Sequence, residues 1–118
     1  MPHIVMEYSA NISETLNPKD LMRTLHDEVA AHGIEAHKIK SRLRPLEHYI
    51  IGEDHAQNSM VHVTLLVLEG RGKDFAKTLG KDVYDALEHH ITNLKITSCF
   101  PSLELREMDP DTYYKGTP

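Results

Sequence analysis

Tryptophan is absent, phenylalanine occurs twice, and aromatic side chains make up only 6% of the 118 residues. Large rings supply much of the buried area of small cores. A chain of this length without them gains by covering apolar surface with a copy of itself. The single cysteine, Cys99, excludes an internal disulfide and a thiolate pair for a metal; it reads as a small buried hydrophobe. Positive charge is not in excess either. Thirteen Lys and Arg face eighteen Asp and Glu, a net charge of −5 with histidines neutral, which argues against general affinity for nucleic acid or an anionic membrane. No apolar run approaches the roughly 20 residues that span a bilayer. The amino terminus lacks the basic-then-apolar pattern of a signal peptide, so the expected location is the cytoplasm. Neither a GxGxxG nor a P-loop pattern occurs, which leaves nucleotide phosphate binding without support.

What is present fits one domain over residues 1–118. Pro2 to Tyr8 is short and β-prone, and proline suits the first position of a strand. Asn17-Pro18 predicts a helix start, with Asn17 capping free N–H groups and Pro18 in the first helical position. Leu21, Met22, Leu25, Val29 and Ala30 follow at helical spacing until Gly33. Ala36 to Arg44 alternates like a strand that Pro45 should stop. The order then repeats. Met60 to Leu68 is a nearly continuous apolar β-prone run, as in a central strand covered on both faces. Gly70-Arg71-Gly72 breaks it. Asp74 to Asn93 carries Phe75, Leu79, Val83, Leu87 and Ile91 four apart, and Ser102 to Met108 reads as a last strand. His48 to Ile51 could add a further strand in the connection. Two βαβ units result, an α+β domain with a mostly four-stranded sheet and two helices on one face. The other face needs a partner, which raises the expectation of an oligomer.

Three features could carry chemistry. Removal of Met1 would leave Pro2 as a secondary amine at the start of a strand, able to take and return a proton if its pKa lies near ambient pH. Burial and neighbouring cations both push an ammonium pKa down. Taken alone, Pro2 is an ordinary second residue. Next, Lys38, Lys40, Arg42 and Arg44 alternate along one strand face, a local surface suited to carboxylates in an otherwise acidic chain. A solvated face suffices for Lys38 and Arg44, while Lys40 and Arg42 in the middle have the stronger claim. Last, Arg71 between two glycines follows the most apolar strand, as a binding residue or a plain surface turn. Nine histidines are scattered without an HExxH arrangement or cysteine partners, so no metal is expected. Asp20 suits the helix dipole, and Glu7 could orient a neighbour or face solvent.

These residues together resemble a known family. Pro2-His3-Ile4-Val5-Met6-Glu7-Tyr8-Ser9 with Asn11-Ile12, then Ile39-Lys40-Ser41-Arg42, Val61-His62-Val63-Thr64-Leu65, Gly70-Arg71 and Leu103-Glu104-Leu105 are similar to the 5-carboxymethyl-2-hydroxymuconate isomerases of the tautomerase superfamily. The resemblance covers nearly the whole chain. It implies a fold like that of macrophage migration inhibitory factor, a homotrimer with sheets facing a central axis, and a cofactor-independent isomerisation of a carboxylated dienol in homoprotocatechuate catabolism. It further implies Pro2 as the general base and then acid, and Arg71 as a carboxylate- or oxygen-binding residue. The family's Arg-Ser-Arg strand stands here as Lys40-Ser41-Arg42, where lysine keeps the charge but loses the bidentate fork. A hydratase or dehalogenase of the same superfamily, and a non-catalytic trimer that binds anions or a protein, are the alternatives.

Overall fold

The computed structural model describes all residues from Met1 to Pro118. Four strands, β1 (His3–Ser9), β2 (Lys40–Leu46), β3 (Ser59–Leu68) and β4 (Cys99–Met108), form one sheet in the order β2-β1-β3-β4. β1 runs parallel to β2 and antiparallel to β3, and β3 runs parallel to β4. A short turn of helix, α1 (Ser13–Leu16), precedes α2 (Pro18–Ala30), and α3 (Lys73–Asn93) joins β3 to β4. The sheet is therefore mixed, built from the two expected βαβ units.

Period-two burial shows which face the helices cover. Ile4, Met6 and Tyr8 of β1 lie beside Val61, Val63 and Leu65 of β3, and all are buried. They meet Leu21, Leu25 and Val29 of α2 and Leu79, Val83, Leu87 and Ile91 of α3 in one core. Each such side chain stabilises the fold by roughly 1.5–3 kcal/mol when fully buried. His32 near the end of α2 ties the helices together, its Nε2 lying 3.1 Å from Asp82 of α3 and 3.6 Å from Glu28. The opposite face carries Val5, Thr64, Leu66 and Phe100 with Lys40, Arg42 and Arg44, and no element covers it. Phe100 is 56% exposed there. No helix is long and apolar enough to cross a membrane.

Several local expectations are corrected. Ala36–Lys38 is a 3-10 turn closed by Lys38 N–H to Glu35 and Ile39 N–H to Ala36, so Lys38 is not on the strand, which starts at Lys40. Nor does Pro45 stop β2. The Lys40 N–H donates to the Pro2 carbonyl at 3.1 Å, so the even-numbered N–H groups of β2 point to β1 and position 45 faces the free edge, where no donor is needed. Pro101 in β4, the other edge strand, follows the same parity, because Ser59 N–H bonds to Ser98 O. β4 accordingly begins at Cys99, before Ser102. Residues His48–Ile51 form no strand; Gly52 and Asp54 turn the chain at positive φ, and Ile50 is left 76% exposed. Asn17 does not cap α2 with its side chain. It adopts φ 53° and its Nδ2 donates to Asp20 at 2.7 Å, while its carbonyl accepts the first helical bond from Leu21.

The topology gathers distant segments at one end of the sheet. The start of β1, the start of the parallel β2, and the ends of the antiparallel β3 and β4 all lie there. Gly70 and Gly72, at φ 122° and 91°, then turn the chain so that Arg71 returns toward Pro2.

Gly80 lies buried inside α3, and a Cβ there would sit 3.6 Å from the Leu105 Cβ, an ordinary van der Waals distance. Gly80→Ala is expected to stabilise the fold by up to about 1 kcal/mol, through helix propensity and a less flexible unfolded chain. Urea denaturation checks this; a lowered midpoint would show that α3 packs closer to β4 than the geometry indicates.

Candidate active site

Pro2 is buried immediately before β1, the strand with a neighbour on each side. Its carbonyl is held by Lys40 N–H at 3.1 Å, and its ring fixes φ, so little freedom remains at this position. A cleft of about 160 Å³ opens beside it, lined by Met1, Pro2, Ile34, Val67, Leu68, Glu69, Arg71 and Phe75. Met1 forms part of the wall, and with Met1 attached the Pro2 nitrogen is an amide without basicity. The terminal ammonium in this state belongs to Met1.

That ammonium is held below the usual α-amino value, first by burial and then by the positive charges of Lys115, Lys38, Arg71 and Lys40. Arg71 stands over the Phe75 ring, its guanidinium carbon 5.1 Å from the ring centre. A cation–π contact orients the guanidinium without neutralising it. Arg71, Lys40, Arg42 and Lys115 make no ion pair with a carboxylate, whereas Lys38 is paired with Glu35 at 3.1 Å and Arg44 with Glu7 at 3.9 Å. Unpaired cations around an amine make an anion-binding site and favour the amine's neutral form.

The structure thus brings Pro2, Arg71 and Lys40 to one end of the sheet. Arg42 lies further along, paired in register with Val5 on the uncovered face. Neither it nor Lys40 lines the cleft; the Arg42 Nη1 donates to His3 Nδ1 at 3.3 Å. Glu7 faces Arg44, not the cleft. Four participants escaped the sequence reading. Phe75 looked like a core residue of α3; it packs against the core but also lines the cleft. Lys38 looked like part of a strand face. Lys115, in the tail, shows only as an isolated cation after two tyrosines. Glu69, directly before the Gly-Arg-Gly turn, borders the cleft as its one carboxylate.

Elsewhere, Glu28, His32 and Asp82 place donor atoms within 4.8 Å of one another and could hold a cation. They share no residue with the cleft and already lie against one another across the two helices. His90 Nε2–H donates to Leu16 O, and His89 accepts from Asn93, so the two neighbours point apart. The Cys99 thiol is pushed up by burial, which disfavours the reactive thiolate.

Comparison with known proteins gives the arrangement a family. A family model described as 5-carboxymethyl-2-hydroxymuconate isomerase matches residues 2–118. A 5-carboxymethyl-2-hydroxymuconate Delta-isomerase of Escherichia coli is 26% identical over 117 residues, covering 98% of this chain and 93% of that one. The crystal structure of a 5-carboxymethyl-2-hydroxymuconate isomerase from Deinococcus radiodurans R1 superposes with a TM-score of 0.90 at 21% identity, covering 99% of this chain and 90% of that one. A macrophage migration inhibitory factor-like protein from Entamoeba histolytica shares the fold at TM-score 0.66 and 15% identity, covering 98% and 95% of the two chains. The chain therefore belongs to the 5-carboxymethyl-2-hydroxymuconate isomerase family and is an isomerase of the tautomerase type.

Proposed function

We propose that this chain, once Met1 is removed, uses the Pro2 amine to move a proton along a carboxylated dienol such as 5-carboxymethyl-2-hydroxymuconate, yielding its keto isomer. The observation that carries this reading is the burial of Pro2 beside a cleft whose terminal amine is held below its usual value by burial and by four cations. Loss of Met1 moves the free amine one residue inward, into the buried position, and removes one wall of the cleft. Burial and the surrounding charge then favour the neutral, basic form. The amine takes the hydroxyl proton as the electron pair shifts along the conjugated system, and the same ammonium returns a proton to the terminal carbon. Arg71 and Lys40 bind the carboxylates and stabilise the dienolate as its charge develops; Arg42 adds charge from the adjoining face of β2.

The uncovered sheet face supports a homotrimer, with three such faces turned to one axis, working in the cytoplasm. Val5, Leu66 and Phe100 would leave water there. Glu69 gives the hydratase alternative a carboxylate at the cleft. Product mass separates the two, because isomerisation leaves the mass unchanged and hydration adds one water.

Four outcomes are expected. Pro2→Ala should reduce turnover of the dienol at least about a hundredfold, the usual contribution of a positioned acid–base group, and Arg71→Ala should reduce kcat/KM by about ten- to a hundredfold, both with an unchanged unfolding midpoint. Full activity in Pro2→Ala would remove the amine from the mechanism. The rate should rise with pH as the Pro2 ammonium loses its proton, with a midpoint below that of a free prolyl amine, since burial and the surrounding cations favour the neutral form; a midpoint at or above the free prolyl value would contradict the cationic cleft. Light scattering should find three times the 13.4 kDa chain mass, and a monomer at micromolar concentration would exclude the trimer.

A further inference from the structure

Glu28 and His32 stand four residues apart, the spacing that puts two side chains on one face of a helix. α2 ends at Ala30, and the His32 N–H, donating to Val29 O at 3.1 Å, carries the turn one step further. Asp82 reaches the pair from α3. His32 Nε2 lies 3.1 Å from Asp82 Oδ2 and 3.6 Å from Glu28 Oε2, and the three donor atoms lie within 4.8 Å of one another. The His32 side chain is only 15% exposed. Its ring meets Phe75 edge-to-face, with centres 6.4 Å apart and planes at 85°, so packing holds Nε2 toward the carboxylates.

Charge around this imidazole is out of balance. Neither Glu28 nor Asp82 has a lysine or arginine partner, and Lys81, beside Asp82 in the chain, reaches Asp85 instead at 2.6 Å. Even a protonated imidazole offers one positive charge to two carboxylates. The spacing also suits an ion. Around a tetrahedral metal with bonds of about 2.0–2.1 Å, neighbouring ligand atoms stand roughly 3.3–3.4 Å apart, between the two distances observed. One imidazole nitrogen with two carboxylate oxygens selects zinc and similar transition metals over magnesium or calcium, which take oxygen ligands. Three protein ligands leave a fourth position for water. A groove of about 630 Å³ beside Glu28 and Asp82, also lined by Asp85 and His89, admits it.

We propose that Glu28, His32 and Asp82 bind a divalent transition-metal ion of the zinc class, which cross-links α2 to α3. The site lies outside the Pro2 cleft, takes no part in the proton transfer, and stands whether or not Pro2 is the base. Binding uses the Nε2 lone pair and gives both carboxylates a positive partner. The unfolded chain does not hold the three ligands together, so the ion stabilises the fold by mass action. Residue order conceals the site because only Glu28 and His32 share a helix face, and the third ligand comes from the other helix.

The test uses the full chain, stripped with a chelator and returned to plain buffer. Calorimetry with zinc chloride should find one ion per chain, and saturating zinc should raise the thermal unfolding midpoint. Cobalt(II) in its place should develop the visible absorption of a four-coordinate ion, which zinc then bleaches. His32→Gln should weaken zinc binding at least about a hundredfold, since losing even an outer-shell partner costs a metal site roughly ten- to a hundredfold. Asp82→Asn and Glu28→Gln, isosteric changes at partly exposed positions, should also weaken it and serve if His32→Gln does not fold. His37→Gln removes an exposed histidine beside Glu35 and should leave binding unchanged. Absence of zinc binding by the parent chain overturns the inference, as does binding that survives in all three ligand variants or falls equally in His37→Gln. Pro2→Ala should bind zinc as the parent does, so failure of the catalytic reading and failure of this one are told apart.

Discussion

The hydrogen bond from the Lys40 N–H to the Pro2 carbonyl fixes the amino terminus as the first rung of a parallel ladder. A chain end ordinarily frays. This one cannot, because the strand it begins is bonded on both sides and its alternate residues Ile4, Met6 and Tyr8 are buried under the helices. Unzipping the end would expose core side chains and leave ladder groups of β2 and β3 without partners. The same bond sets the parity of β2. It turns Lys40 and Arg42 to the uncovered face and leaves the nitrogen of Pro45 on the free edge.

From that rung the chemistry follows by topology. Because β3 is antiparallel to β1, its end arrives where β1 starts, and the Gly70–Gly72 turn brings Arg71 back over Phe75. Because β4 is parallel to β3, its end arrives there too and carries the tail to His3. Residues from the beginning, middle and end of the chain thus meet at one end of the sheet without a long loop reaching for the site. The charge of this region is opposite to that of the protein as a whole, which carries −5. An anion is therefore drawn to one place on a surface that otherwise repels it.

Much of this was legible from residue order. The two amphipathic helices declare themselves through Leu21, Leu25 and Val29 and through Leu79, Val83, Leu87 and Ile91, since a core face repeats at helical spacing. Gly33, Gly70 and Gly72 do take the positive φ that their positions imply. One error arises because alternation does not distinguish a strand from a 3-10 turn leading into one. Lys38 falls into step with Lys40 and Arg42, yet a local bond to Glu35 bends the chain there. Pro45 reads as a break, and only the hydrogen-bond direction across the sheet shows that a proline costs nothing there or at Pro101, on the two sheet edges. The tail was opaque for a further reason. Tyr113 lies in no periodic element, and its partner is His3, 110 residues away.

The central claim is that a free, buried prolyl amine does the work, and retention of Met1 tests it most directly. Preparations containing different fractions of Met1-free chain, quantified by intact mass, should turn over the dienol in proportion to that fraction, with none from fully Met1-retaining protein. Equal turnover by chains that keep Met1 would contradict it, because an amide nitrogen cannot carry the proton.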